Sequence, residues 1–155
     1  IRGEIMEIAI GSDHAGVDLK RDIIEFLEQA GYIIKDCGTS TYESVDYPDI
    51  AEKVAREVLV HRIFGILICG TGIGISIAAN KISGIRAANC DNIFTAQLAR
   101  MHNDANVLAI GARVIGKGLA LAIVENFIKT DFQAGRHMRR VEKIVAIEKK
   151  YLERG

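Results

Sequence analysis

Ile66-Leu67-Ile68-Cys69-Gly70-Thr71-Gly72-Ile73-Gly74 is the stretch on which the fold turns. An unbroken apolar run ends in a cysteine and opens into a loop with glycine at every second position. It then resumes as Ile75-Ser76-Ile77-Ala78-Ala79-Asn80-Lys81. The pattern reads as a buried strand, a glycine-rich turn and the start of a helix. Such a junction aims several backbone N–H groups at one place, where they can hold an anion. Cys69 lies at the mouth of that field, which favours the thiolate over a free thiol of pKa about 8.5. An anion cradle beside a potential base points to a catalytic centre.

Strand and helix patterns alternate along the whole chain. Strands are expected at Glu4–Ile10, Tyr32–Cys37, Phe64–Cys69, Ile85–Cys90 and Val107–Ile110. Helices are expected at Val17–Ala30, Ile50–Val60, Gly74–Lys81, Ile93–Met101, Leu119–Ile128 and Val141–Leu152. Gly31 stops the first helix and Pro48 suits the first turn of the second. Val141, Ile144, Val145 and Tyr151 mark an apolar side on the last. Most strands are continuous apolar runs, the pattern of strands covered on both faces. Regular alternation then implies an α/β fold, a five-stranded parallel sheet between helix layers with a C-terminal helix outside it.

In such folds ligands bind beyond the carboxyl ends of the strands. Ser12-Asp13-His14, Thr39–Tyr47, Cys69–Gly74, Asp91-Asn92 and Gly111–Arg113 all fall there. His102-Asn103 instead closes a helix that runs into a strand, which puts it at the opposite edge. A subunit interface, or a helix end folding back, would be needed to bring His102 to the same site.

Composition narrows the possible functions. At 155 residues the chain is expected to form one domain, 1–155, with a real core. Twenty Lys plus Arg balance twenty Asp plus Glu, so nothing in bulk charge attracts nucleic acid. The apolar runs are too short to span a bilayer, and no signal peptide is visible. Position 1 is Ile rather than Met, so the natural start is expected to be missing or altered. Cys37, Cys69 and Cys90 are odd in number and lack metal spacing; a reducing, cytoplasmic setting follows, with no metal.

Individual residues carry two readings each. Cys69 could be a core cysteine at a strand end, but the loop of Gly70, Gly72 and Gly74 favours a reacting thiol. The loop is not a P-loop, and Lys81 lies too far along the helix to serve one. Asp13-His14 gains from its place at a strand end; His14 and His102 can each move a proton near neutral pH. Arg136 and Arg140 are four apart, share a helical face and can grip a phosphate, whereas Arg139 reads as a solvated charge. Tyr47 is either a loop anchor or a pocket wall. Asn80-Lys81 reads as a helix end, and Cys37 and Cys90 as structural.

Together these residues resemble the ribose-5-phosphate isomerase B family, which includes related aldose-6-phosphate isomerases. The resemblance runs from Ile8 to about Ile147. It rests on Gly11-Ser12-Asp13-His14-Ala15-Gly16, Asp46-Tyr47-Pro48, Cys69 through Lys81, Gly84-Ile85-Arg86-Ala87, Ala96-Gln97-Leu98, His102 through Leu108, and Gly135-Arg136-His137. It implies a Rossmann-like αβα sandwich and a homodimer or dimer of dimers with shared sites and no cofactor. The implied reaction interconverts D-ribose 5-phosphate and D-ribulose 5-phosphate, a step of the non-oxidative pentose phosphate pathway. The resemblance implies Cys69 as the base, His102 as the ring-opening group, and Thr71 and Asp13 as positioners of sugar oxygens. His14, Arg113, Arg136 and Arg140 would contact phosphate. Tyr47, Gly70, Gly72, Ile73, Gly74 and Asn103 complete the expected binding set, with the loop amides facing an enediolate.

Rival readings are an isomerase of a six-carbon aldose 6-phosphate of the allose or galactose type, and a flavodoxin-like phosphate- or nucleotide-binding module. A hydrolase with a cysteine nucleophile would need a histidine beside Cys69. The binding module explains the glycine loop but leaves the thiol, His102 and the arginine pair idle.

Overall fold

A computed structural model describes residues 6–154. Five strands form one wholly parallel sheet: β1 (Glu7–Ser12), β2 (Ile33–Asp36), β3 (Phe64–Cys69), β4 (Ala87–Asn89) and β5 (Val107–Gly111), in the order β2-β1-β3-β5-β4. Six helices connect and cover them: α1 (Val17–Gln29), α2 (Tyr47–His61), α3 (Ile73–Ala79), α4 (Ile93–Asn103), α5 (Lys117–Lys129) and α6 (Arg136–Leu152). This is the α/β three-layer architecture expected. The part of the first expected strand at residues 4–5 lies outside the described residues.

Alternation along the central strands sorts the two layers. Ile8, Ile10, Ile66, Ile68, Leu108 and Ile110 face α1, α4 and α5, where Ile23, Leu27, Ile123 and Phe127 meet them. The intervening Ala9, Leu67, Cys69, Val107 and Ala109 face α2 and α3, against Val54, Val58 and Ile75. Each fully buried large aliphatic contributes about 1.5–3 kcal/mol relative to exposure. The second face is built for close approach. A Cβ on Gly65 would stand 2.7 Å from Val58, and one on Gly11 2.6 Å from Ile50, so α2 packs directly on backbone.

Several sequence expectations need correction. The edge strands are not covered on both faces; Ile33 in β2 is 48% exposed. β4 is only three residues and pairs with β5 alone; on its open side the Asn80 side chain takes both backbone groups of Ala87. Asn80 caps α3 and pins the connection to β4, as the helix-end reading required. α6 begins at Arg136, not Val141, and of its expected apolar side only Val141 is buried; Ile144 and Tyr151 are exposed. No helix among the described residues is long and apolar enough to cross a membrane.

The strand order reverses between β1 and β3, the crevice at which α/β sheets bind ligands. The carboxyl ends of these two strands deliver Asp13 and Cys69 side by side, and the Asp13 N–H donates to the Ile68 carbonyl at 3.1 Å.

Candidate active site

Cys69 ends β3 with its side chain buried and Sγ turned back on the following loop. The Gly72 N–H donates to Sγ at 3.1 Å. The contact depends on the turn. Gly72 has φ of 80°, in the left-handed region, and N-caps α3. Thr71 Oγ1 accepts from the Ile73 N–H at 3.2 Å. Two of the loop amides are therefore engaged. Among the described residues the N–H groups of Gly70, Thr71 and Gly74 find no acceptor.

Neighbouring loops close around this one. The Arg113 N–H donates to the Gly70 carbonyl, and its guanidinium covers that glycine: a Cβ there would lie 3.2 Å from Nη1. Tyr47, the first residue of α2, lays its phenol on the start of α3. A Cβ on Gly74 would sit 2.6 Å from the Tyr47 Cζ. Tyr47 thus packs against the helix start that follows the Cys69 loop. Asp13 is buried, with Oδ1 accepting from the Ala15 N–H at 3.0 Å. His14 Nδ1 accepts from the Val45 N–H at 3.3 Å, which leaves Nε2 as the protonated nitrogen of the neutral ring. Asp13, His14, Tyr47, Cys69, Gly70, Thr71, Gly72, Ile73, Gly74 and Arg113 thus share the carboxyl edge of the sheet.

Sequence reasoning placed Asp91 at a strand end but did not single out Asn89 and Thr95. With Thr71 and Ile73 they line a cavity of about 260 Å³ beside the loop. A Cβ on Gly72 would stand 2.4 Å from Asn89 Oδ1, so β4 presses on the turn. Larger hollows lie away from this chemistry, including one of about 580 Å³ at the opposite edge.

His102, Asn103, Arg136 and Arg140 are at that opposite edge. α4 descends antiparallel to the strands, and its eleven residues span about 16 Å. Its end is fixed firmly. Arg86 Nε donates to the Asn103 carbonyl at 3.0 Å, and Arg86 Nη2 to the Asp104 carbonyl at 2.8 Å. Arg100 Nη1 reaches Asp104 Oδ1 at 2.9 Å and the Ala105 carbonyl at 2.6 Å. The His102 ring stacks on His137 with centroids 4.0 Å apart and planes 12° from parallel. Among the described residues Arg113, Arg136 and Arg140 form no ion pair. One chain therefore carries two polar clusters at opposite edges and does not join them.

Burial, then Glu57 and Asp36, push the Cys37 thiol up; burial pushes Cys90 up. Both disfavour a thiolate, in line with structural roles. Among the described residues no group of three or more His, Cys, Asp or Glu could hold a metal ion.

Known proteins match this arrangement along nearly its full length. Ribose-5-phosphate isomerase B of Escherichia coli K12 is 50% identical over 145 residues, 93% of this chain and 97% of that protein. D-erythrulose-4-phosphate isomerase of Pectobacterium atrosepticum is 45% identical over 143 residues, 90% and 93% of the two chains. The solved ribose-5-phosphate isomerase B of Clostridium thermocellum superposes with a TM-score of 0.93 at 58% identity, covering 94% of this chain and 99% of that one. The Ribose/Galactose Isomerase family pattern matches residues 8–144, and the chain belongs to that family.

Proposed function

We propose that the protein is a cofactor-independent aldose–ketose isomerase that interconverts D-ribose 5-phosphate and D-ribulose 5-phosphate. The observation that carries this reading is Cys69, held under the Gly72 amide beside unpartnered loop amides, with Asp13, Tyr47 and Arg113 around it. The E. coli relative's name supports the substrate. The Pectobacterium relative's name favours phosphorylated sugars of other lengths as a second reading.

Such a reaction begins with ring opening. The anomeric hydroxyl loses a proton while the ring oxygen gains one and leaves C1; His102 moves these protons. The Cys69 thiolate then takes the C2 proton. The C2–H electron pair becomes the C1=C2 bond, and the carbonyl pair moves onto O1. The resulting enediolate carries its charge next to the amides of Gly70, Thr71 and Gly74. One well-aimed donor of this kind contributes roughly 3 kcal/mol in the transition state. Returning the Cys69 proton to C1, with the O2 proton transferred, yields the ketose. Asp13 retains Oδ2 for a sugar hydroxyl, and Thr71 orients another. His14, Arg113, Arg136 and Arg140 bind the phosphate, the arginines through bidentate, charge-assisted contacts. Asn103 and Tyr47 border the sugar.

The two clusters act together when the cluster at the opposite edge of a second copy caps the carboxyl edge of the first. The site is then shared in a homodimer. Exposed Ile73, Ile77, Phe94 and Val114 around the loop support an apolar contact there.

Conversion of D-ribose 5-phosphate to D-ribulose 5-phosphate in the presence of EDTA tests the proposal. Wild-type turnover that falls by about 10²–10⁴-fold in Cys69→Ala supports it. No wild-type turnover moves the substrate to a six-carbon aldose 6-phosphate. Undiminished turnover in the variant removes Cys69 as the base.

A further inference from the structure

We propose that His137 is a positioning residue for His102: its ring, stacked face to face on that of His102, fixes the direction in which the ring-opening group points. The inference rests on the isomerase reading above.

Four observations carry it. First, the stack is close and near-parallel, and His137 is buried at 6% exposure, whereas His102 is only half-buried. The buried ring is therefore the support and the accessible one the working group. Second, the junction that sets the two rings against each other is tied at both sides. Arg100 Nε donates to the Thr130 carbonyl at 3.2 Å, and the Gln133 N–H to the Met101 carbonyl at 3.1 Å. The segment between α5 and α6 cannot slide along α4 without breaking both.

Third, the backbone is held in unfavourable conformations on both sides of the stack. Ala134 has φ of 52° and Asp104 φ of 46°, two of three non-glycine residues in the left-handed region among those described. Such conformations persist where the surroundings enforce them, and they gather at functional sites. Ala134 and Gly135 turn the chain into α6, and the His137 N–H closes that turn on the Ala134 carbonyl at 2.9 Å. Fourth, burial holds His137 below the ordinary histidine range, with His102 from α4 and Arg136 and Arg140 from its own helix acting in the same direction. A neutral ring can lie against His102 while the latter takes up and releases a proton.

A double-mutant cycle on the full-length enzyme tests this. In His137→Ala, kcat on D-ribose 5-phosphate is expected to fall about 10–100-fold, the scale of a misplaced catalytic group, with KM within about twofold. His137→Phe keeps a flat ring and recovers most of the loss. His102→Ala/His137→Ala is expected to be no slower than His102→Ala alone, because His137 acts only through His102. Losses that multiply, a rise in KM at unchanged kcat, a wild-type rate in His137→Ala, or a Phe variant as slow as the Ala variant each overturn the proposal. A His102→Ala enzyme with full activity overturns the underlying role of His102 instead.

Discussion

Gly72→Ala is the perturbation whose cost follows most completely from the geometry. Gly72 has φ of 80°, where an L side chain costs about 1–2 kcal/mol. The added Cβ would stand 2.4 Å from Asn89 Oδ1 and 2.9 Å from the Ile110 backbone carbon. The Asn89 side chain can swing away, but the β5 backbone cannot. Overpacking of this kind costs a further ~1–3 kcal/mol, for a total of about 2–5 kcal/mol. In a chain of this length each kcal/mol lowers Tm by roughly 2–4 °C, so a drop of about 4–20 °C is expected. The same shift carries the Gly72 amide off Cys69 Sγ, and kcat is expected to fall by roughly 10²-fold. Gly118→Ala in α5 is the control. Nothing lies within 4 Å of its added Cβ. The helix gains up to about 1 kcal/mol there. Thermal unfolding and steady-state rates of both variants decide the matter. A Gly72→Ala enzyme as stable and as fast as wild type would refute the account of the loop.

Further expectations concern the histidines. The folded value of His137 lies below its unfolded 6.5, so protons favour the unfolded chain. Its contribution to stability is present above pH 6.5 and is lost as pH falls through the lower folded value. Urea unfolding at pH 8 and pH 5.5 should therefore show a smaller acid-side loss in His137→Phe than in wild type. His102→Ala should slow turnover of D-ribose 5-phosphate by about 10²-fold or more, the scale of a general acid–base group. It should affect D-erythrose 4-phosphate far less, because that sugar has no free hydroxyl with which to close a furanose ring. Equal losses on both would remove ring opening from the role of His102.

The central strands were legible because β3 and β5 are dense in Ile, Leu and Val, and alternation alone assigns their two faces. β4 was overestimated because the chain before it is held outside the ladder, the Ile85 N–H by the Ile82 carbonyl and the Arg86 N–H by the Asn106 side chain, which no local pattern reveals. The first turn of α6 escapes apolar periodicity because it is polar; it turns His137 inward, and a stack between distant histidines has no periodic trace. The Cys69 loop and Asp13 could be read together because a parallel sheet puts successive strand ends on one edge. The contacts of Tyr47 with Gly74 and of Arg113 with Gly70 could not, since they depend on how three loops fold over that edge. Placing His102 at the other edge was correct from topology alone, and it is the reason a second copy enters the account.

Mixing two inactive chains tests the shared site most directly. Cys69→Ala and His102→Ala chains carrying different tags would be co-expressed and assayed for conversion of D-ribose 5-phosphate. Random pairing makes half the dimers mixed, each with one intact site, so about a quarter of wild-type activity is expected, concentrated in the doubly tagged fraction. Activity no higher than the sum of the two residual rates would contradict a site built from two chains.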